Sequence, residues 1–440
     1  MKQNLYLLLG ILLLSSCEVT ENEIVEINPD ARDLTIKVEQ VYNDSTISLR
    51  WDKYEASDFK KYSLFRYASV LHNGRFEQQH EEIKSFTSTD SVTYTEREMP
   101  HALRVSYQIH LITDTASFSP NSVTYTRPDI TNIGSFSNVL INTDKDYLYL
   151  YNMSTGAIML YDYGNNRAIR KISLQSKIGY SALGNYGGTQ NELYVPDEHG
   201  WVYILDALTL ETKDKIYVGG FQVTSVVAAA GKLFVSSSDQ SFSGMNDNSL
   251  KVYDRATLKF VSRTGEWENT RLVLLENLAS QTSDIELVEI TTNIIPTDLS
   301  YYLFNSSGEV TAKREDKYHG DHPLDPALVK AFPDGQRLIT SSSGAIYTKN
   351  LEHEKDLLPY HTYNGQYRDF AFNSSGSLIY GVLNDEHKIA EIAYPSGTVT
   401  KNYPTQFKPY WLFRDGSQLI CLTIPQSYYE PYFFVEKINL

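Results

Sequence analysis

The sequence predicts an all-β protein made of two folded parts behind a short leader. Period-two alternation of apolar and polar residues dominates the chain, Tyr is abundant at 33 residues, and a unit of about 45 residues recurs in the last two thirds. Tyr favours half-buried strand positions. A chain of 440 residues also exceeds one ordinary hydrophobic core, so two or more domains are expected.

Composition excludes some classes of function. Hydrophobic residues make up 41% and charged residues 21% of the chain, as in globular proteins. The net charge of −15 disfavours a phosphate-backbone partner, which requires clustered Lys and Arg. We therefore expect no nucleic-acid partner.

Residues 1–16 have the features of an export signal. Lys2 precedes the apolar run LYLLLGILLL, and two serines precede Cys17. The segment LSSC resembles the bacterial lipobox, which implies cleavage before Cys17 and acylation of that residue. An ordinary signal peptide is the alternative. Beyond Leu14 no apolar run approaches the 18 or so residues of a membrane span.

The remaining cysteine, Cys421, lies in the strand-like run QLICLTI. A lipidated Cys17 leaves it no partner for a disulfide within the chain. We expect a small buried hydrophobic residue rather than a reactive thiol.

Residues 17–32 are polar and acidic and suit a flexible tether, and a strand pattern begins at residue 33. Ile47, Leu49 and Trp51 share one face of a strand, and LRVSYQIHL alternates over residues 103–111. Short strands rich in Thr, Tyr and Val over residues 33–128 predict a small sandwich.

Residues 33–128 resemble a fibronectin type III module. Trp51 matches the tryptophan of its second strand, and Tyr107, seven residues after Pro100, matches its tyrosine-corner region. The segment MPHALRVSY lacks the glycine common in that turn. The resemblance implies a spacer or docking module that performs no chemistry.

A repeat organises residues 129–440. An anchor residue follows an apolar strand in each unit and precedes a turn. The anchors are Asp162, Asp206, Asp254, Asn305, Asn350, Tyr394 and Asn439. Their successive spacings are 44, 48, 51, 45, 44 and 45 residues, the length of a four-stranded propeller blade. Seven blades are predicted, with six or eight as the alternative.

This region resembles seven-bladed β-propellers of the YVTN and WD-repeat-like type. The best copy is ELYVPDEHGWVYILDALTLETKDKIYVG. The chain ends one residue after the last anchor, so the seventh blade lacks an outer strand. We expect residues 129–136 to supply that strand and to close the ring, which would remove free sheet edges.

Propeller loops that join second to third strands, or one blade to the next, share one end of the fold, where ligands commonly bind. Polar and aromatic residues of these loops and nearby strand starts define a candidate binding face. Its members are His199, His319, Asp321, His322, His361, Arg368, Lys408, Tyr410, Tyr428 and Tyr429. The alternative for each, and the commoner one for such residues, is a solvated or packing residue. The polar segment 236–249 is a further candidate contact loop.

Enzyme signatures fail in this sequence. GYSALG has Leu183 where a nucleophile elbow requires glycine, and no phosphate-binding glycine loop occurs. HGDHPLD contains His319, Asp321, His322 and Asp325 as possible metal ligands, without the spacing of a known metal motif. We expect no catalytic residue, no metal and no cofactor.

The chain resembles cell-envelope lipoproteins of the Bacteroidota, in which acidic residues after the lipidated cysteine (here Glu18, Glu21 and Glu23) accompany export to the outer face. The resemblance implies an outer-membrane, surface-facing scaffold that docks a protein in an uptake or assembly complex. Two alternatives stay open: a glycan-binding lipoprotein, and a metal-dependent hydrolase or lyase acting on sugars or lactones.

Overall fold

The computed structural model describes most of the chain from residue 34 onward. The described ranges are 34–43, 45–72, 75–100, 102, 104–119, 121–126, 136–184, 186, 191–238, 244–276, 284–318, 320–359, 366–384, 386–424 and 433–440. Within these ranges every regular element is a β-strand, so the predicted all-β class is confirmed. No helix in the same ranges is long and apolar enough to cross a membrane.

The N-terminal region contains two antiparallel sheets. The first has the order β1-β2-β5, and the second has the order β4-β3-β6-β7, with β8 also paired to β6. The strands are β1 Ile36–Asn43, β2 Thr46–Trp51, β3 Phe59–His72, β4 Arg75–Phe86, β5 Thr93–Glu96, β6 Arg104–Thr113, β7 Ser117–Phe118 and β8 Ser122–Thr126.

Alternation along these strands produces one hydrophobic core. On β6, Val105, Tyr107, Ile109 and Leu111 are fully buried, and the residues between them are partly exposed. Trp51 from β2 belongs to the same core as these β6 residues. Because successive side chains of a strand point to opposite faces, only one face of each sheet is apolar.

Seven further antiparallel sheets follow in chain order, each built from consecutive strands. The first four sheets are β9 Asn138–Asn142, β10 Tyr147–Asn152, β11 Ala157–Asp162, β12 Arg167–Ser173; β13 Ala182–Gly184, β14 Glu192–Pro196, β15 Trp201–Asp206, β16 Thr212–Tyr217; β17 Gln222–Ala229, β18 Lys232–Ser238, β19 Leu250–Asp254, β20 Phe260–Thr264; and β21 Thr270–Leu274, β22 Ile285–Thr291, β23 Leu299–Phe304, β24 Val310–Glu315.

The last three sheets are β25 Val329–Ala331, β26 Arg337–Thr340, β27 Ala345–Thr348, β28 His353–Asp356; β29 Tyr367–Phe372, β30 Leu378–Leu383, β31 Lys388–Ala393, β32 Thr398–Pro404; and β33 Lys408–Asp415, β34 Gln418–Ile424, β35 Phe434–Asn439. In the described residues the last sheet has three strands and each of the other six has four.

Successive sheets pack face to face through apolar side chains, and hydrogen bonds join their first strands. The Leu272 amide of β21 donates to the Ser225 hydroxyl of β17 over 3.0 Å. The last sheet contacts the first one, since the Tyr163 hydroxyl donates to Asp415 over 2.9 Å and both sheets share one core. In the described residues the edge strands of these sheets are only three to eight residues long, and short edges are less prone to pairing with another chain.

The repeated anchor residues have a local structural role. The carboxylate of Asp206 accepts the amides of Leu208 and Thr209 at 2.9 and 3.0 Å, in the turn after the third strand. Asp254 accepts the amide of Thr257 at 2.9 Å in the equivalent turn, and this bond is the main reason that its pKa falls to about 2. Aspartate is favoured in such turns because its short side chain satisfies nearby backbone donors.

The sequence predicted that residues 129–136 supply the closing strand of the last sheet. Of residues 129–136, only Phe136 lies in the described ranges, and it belongs to no strand there, so the predicted closing strand falls outside them.

The interpretation of 236–249 as one loop is wrong at its start, because Ser236, Ser237 and Ser238 form the fully buried end of β18. Their hydroxyls are bonded to neighbouring groups, which permits burial of such polar residues.

Cys421 lies in β34 and is fully buried. Burial raises the pKa of its thiol well above the ordinary value, which disfavours the reactive thiolate. Cys17 lies outside the described residues.

Candidate functional site

The candidate binding face lies at one end of the sheets. In an antiparallel sheet of consecutive strands, the second-to-third connection and the connection to the next sheet leave from the same end. Neighbouring sheets are oriented alike, because Tyr180, just before β13, pairs in parallel with Ser225 of β17. The described residues 197–200, 316–318, 320–328, 384, 386–387 and 405–407 therefore emerge at a common end.

Arg368 and Tyr410 come together at this end, near the starts of the first strands β29 and β33. The Arg368 guanidinium lies over the Tyr410 ring, 4.5 Å from its centre. Its Nε donates to the side-chain carbonyl of Asn384, which fixes the guanidinium plane. A cation held over an aromatic ring in this way gains about 0.5–2 kcal/mol, depending on exposure.

Aromatic side chains extend this contact into the protein. Tyr410 packs on Trp411 with ring centres 4.1 Å apart, and Trp411 packs on Phe136 at 4.4 Å. Phe136 in turn contacts Phe433 at 4.4 Å. Lys408 lies two residues before Tyr410 on the same strand and is partly exposed. The result is an aromatic row whose half-buried end lies against the Arg368 guanidinium.

Further inside the protein, a second cluster of polar side chains connects the first strands of three neighbouring sheets. The Lys330 ammonium of β25 donates to Asp369 of β29 at 2.8 Å and to the Leu412 carbonyl of β33 at 2.9 Å. Asp369 also accepts the Leu412 amide at 2.7 Å. Burial lowers the pKa of Lys330, and the Asp369 carboxylate opposes that effect. All of these polar atoms are paired with protein groups, so the arrangement is a structural tie between sheets.

Arg271 of β21 forms a similar tie. Its guanidinium lies over the Tyr180 ring at 4.5 Å and donates to the Pro326 carbonyl at 2.7 Å. Burial raises the pKa of Tyr180, with Arg271 opposing. The tyrosine therefore stays protonated at neutral pH and serves as a packing surface.

Of the possible metal ligands of HGDHPLD, His322 and Asp325 contact other groups of the described chain. The His322 ring stacks flat on His353 of the outer strand β28, with centres 3.9 Å apart. The Asp325 carboxylate accepts the Ala327 amide at 2.8 Å. Within the described residues no group of three or more His, Cys, Asp or Glu could hold a metal ion.

The remaining members of the candidate binding face are dispersed. His199 is exposed in the turn after β14, where its amide donates to the buried Asp197 carboxylate at 2.9 Å. Asp321 is exposed in the segment before β25. Four further members lie outside the described residues, namely His319, His361, Tyr428 and Tyr429.

Arg368, Lys408 and Tyr410 were predicted from their places at strand starts, whereas their partners were not. Asn384 lies 16 residues from Arg368, and Phe136 comes from the other end of the repeat region. The one available signal was Trp411, which directly follows Tyr410 and is one of four tryptophans in the chain.

Comparison with known proteins supports the fold. The chain is similar to hydrazine synthase of Kuenenia stuttgartiensis with a TM-score of 0.50 and 14% identity, over 72% of this chain and 97% of that chain. It is also similar to the Cps50 (Swd1) β-propeller domain of Myceliophteria thermophila, with a TM-score of 0.45 and 11% identity, over 67% and 94%. No protein-family model and no curated protein matches the chain.

Seven successive antiparallel sheets give the repeat region a propeller-like architecture. At such low identity the likeness concerns the fold alone, because one fold hosts many functions.

Proposed function

We propose that the chain is an outer-membrane lipoprotein of the cell envelope that binds a protein partner and performs no chemistry. A fibronectin type III-like sandwich separates the lipid anchor from a seven-bladed β-propeller. The propeller docks the partner through the part of the candidate binding face that contains Arg368, Lys408 and Tyr410. The partner is an outer-membrane protein of an uptake or assembly complex.

The pairing of Arg368 with Tyr410 and Trp411 carries this proposal. Binding energy at protein interfaces is concentrated in a few residues, and Arg, Tyr and Trp are the types most enriched there. The guanidinium is already oriented by Asn384 and the ring by Trp411. A partner that covers this pair would lose little side-chain entropy on binding.

Seven consecutive sheets and the contact between Tyr163 and Asp415 support the seven-bladed arrangement. For the sandwich, support comes from Trp51 and Tyr107, both buried in its single core as the fibronectin resemblance implies. Tyr107 donates to the Glu96 carboxylate at 2.5 Å, which differs from the backbone acceptor of a usual tyrosine corner.

The docking proposal predicts the effect of Arg368→Ala combined with Tyr410→Ala. We expect binding to the native partner to weaken by about 2 kcal/mol or more, roughly thirtyfold. The measurement is affinity capture of the lipidated, tagged protein from detergent-solubilised membranes of its own cells, followed by titration of the captured partner.

Arg314→Ala provides a matched control. Arg314 of the outer strand β24 also lies over a tyrosine ring, that of Tyr301 at 4.1 Å, and also donates to an asparagine side chain, that of Asn350 at 2.9 Å. This variant should bind as the wild type does. A protein that elutes alone from native membranes, or equal losses in both variants, would contradict the docking proposal.

The anchoring proposal predicts the behaviour of Cys17→Ala. This variant should incorporate no radiolabelled palmitate and should leave the membrane fraction, because the acyl chains supply most of the membrane affinity. Cys421→Ala is the control and should behave as the wild type. Palmitate incorporation into Cys17→Ala, or its full retention in the membrane, would show that anchoring has another origin.

A further inference from the structure

A small cavity lies at the end of the sheets opposite the candidate binding face. It is bordered by the turn between β17 and β18, by the start of β14 and by the residue that follows β19. Its lining comprises Leu183, Tyr186, Tyr194, Lys232, Arg255, Glu276 and residues 228–231. The cavity has a volume of about 180 Å³, room for about six water molecules at their liquid volume. That is the size class of one sugar ring.

The floor of the cavity is a rigid polar network. Arg255 forms two bonds of 2.7 Å with the Glu192 carboxylate, through Nε and Nη2. Tyr194 donates its hydroxyl to the same carboxylate at 2.6 Å. Lys232 pairs with Asp254 at 3.1 Å. Since each group is held by a partner, the N–H donors that border the cavity keep fixed positions.

The pairing of charges around the cavity indicates that it does not select anions. Glu192 compensates Arg255, and Asp254 compensates Lys232, so both cations of the described lining are paired and neither is free to attract an anion. Glu276 also borders the cavity and has no ion-pair partner among the described residues. Burial raises the pKa of its carboxyl, and in the ionised form its two oxygens accept hydrogen bonds, which suits a ligand that presents hydroxyl groups.

An aromatic surface completes the lining. Tyr186 lies against the Arg255 guanidinium, 4.6 Å from the ring centre, and remains 39% exposed. A ring held in place on one face can pack its other side against the C–H face of a sugar. Ala228 and Ala229 also line the cavity with small side chains.

We propose that this cavity binds a neutral pyranose, with sugar hydroxyls bonded to Glu276 and to the paired cations, and with the sugar ring packed against Tyr186. The proposal assigns a glycan contact to the end of the propeller that the protein partner leaves free.

Saturation-transfer NMR and calorimetric titration test the site, with glucose, galactose and N-acetylglucosamine as separate probes. At least one sugar should bind with millimolar affinity. Glu276→Ala should weaken that affinity about tenfold, since a hydrogen bond to a charged group is lost. Tyr186→Ala should weaken it too.

Tyr217→Ala is the matched control, because Tyr217 is exposed and contacts a neighbouring side chain, Trp201, at 5.0 Å. It should leave sugar binding intact. The Arg368→Ala and Tyr410→Ala variant should also bind sugar normally, which separates this site from protein docking. The proposal would be overturned if none of the three sugars bound, or if Glu276→Ala left the affinity for the sugar unchanged. It would also be overturned if glycine, which is not a sugar, bound in the cavity in place of the three probes.

Discussion

Arg255→Ala should lower the free energy of unfolding by about 3–5 kcal/mol, the cost of leaving one partner of a buried ion pair unpaired. Only 2% of the Glu192 side chain and 10% of the Arg255 side chain are exposed. Burial alone would raise the pKa of Glu192, but the bonds from Arg255 and Tyr194 outweigh it and hold the pKa below its ordinary value. Without Arg255, the partners of this carboxylate among the described residues are Tyr194 and a lysine at 3.7 Å, Lys213.

The measurement is urea unfolding of the full chain at neutral pH. Replacing both partners by methionine should cost less than Arg255→Ala alone, because no buried charge is left and apolar packing is kept. Arg170→Ala is the control, since Arg170 pairs with Glu211 at 3.1 Å on the surface and should contribute less than about 1 kcal/mol. Similar losses for Arg255→Ala and Arg170→Ala would contradict this expectation.

The ion pair between Glu192 and Arg255 could not be predicted from the sequence. Glu192 and Arg255 are 63 residues apart, in neighbouring sheets. Glu192 sits in an apolar strand and Arg255 in a turn, so neither has a local pattern that predicts the other. The cavity beside them was therefore missed, although the strands that form it were expected from the repeat.

Features set by local chemistry could be predicted from sequence. The anchors Asp206 and Asp254 were found because a carboxylate at the end of a third strand satisfies amides two or three residues later. The alternation of β6 was found for the same reason, since each side chain's exposure follows from its neighbours along one strand. These contacts span a few residues, so their pattern recurs in the sequence.

The burial of polar residues within strands, such as Ser236 in β18, could not be predicted from the sequence. Ser236 resembles a loop residue by type, yet its hydroxyl bonds Thr270 of the next sheet over 2.7 Å. Thr270 in turn donates to the buried Glu289 carboxylate over 3.0 Å. Hydroxyl groups from two sheets thus satisfy each other across their interface, and the signal is divided between segments that are distant in sequence.

This network predicts the second large effect, a dependence of stability on pH that Glu289→Gln removes. Glu289 is fully buried, and burial raises the pKa of its carboxyl from 4.5 to about 7, against opposing hydrogen bonds from Tyr302 and Thr270. Between these pH values the folded state keeps a proton that the unfolded state has lost. The stabilisation is therefore complete below about pH 4.5 and is lost as the pH rises to about 7. The loss amounts to about 3 kcal/mol.

Urea unfolding at intervals from pH 4.5 to 8 measures the effect as the difference between wild type and Glu289→Gln, so that contributions from all other groups cancel. The wild type should lose about 3 kcal/mol more than the variant across this window. Glu309→Gln, at an exposed turn, should follow the wild type. Tyr302→Phe removes a 2.6 Å donor that stabilises the charged carboxylate, so it should extend the loss of stability to higher pH. Parallel profiles for wild type and Glu289→Gln would mean that this carboxyl does not keep its proton in the folded protein.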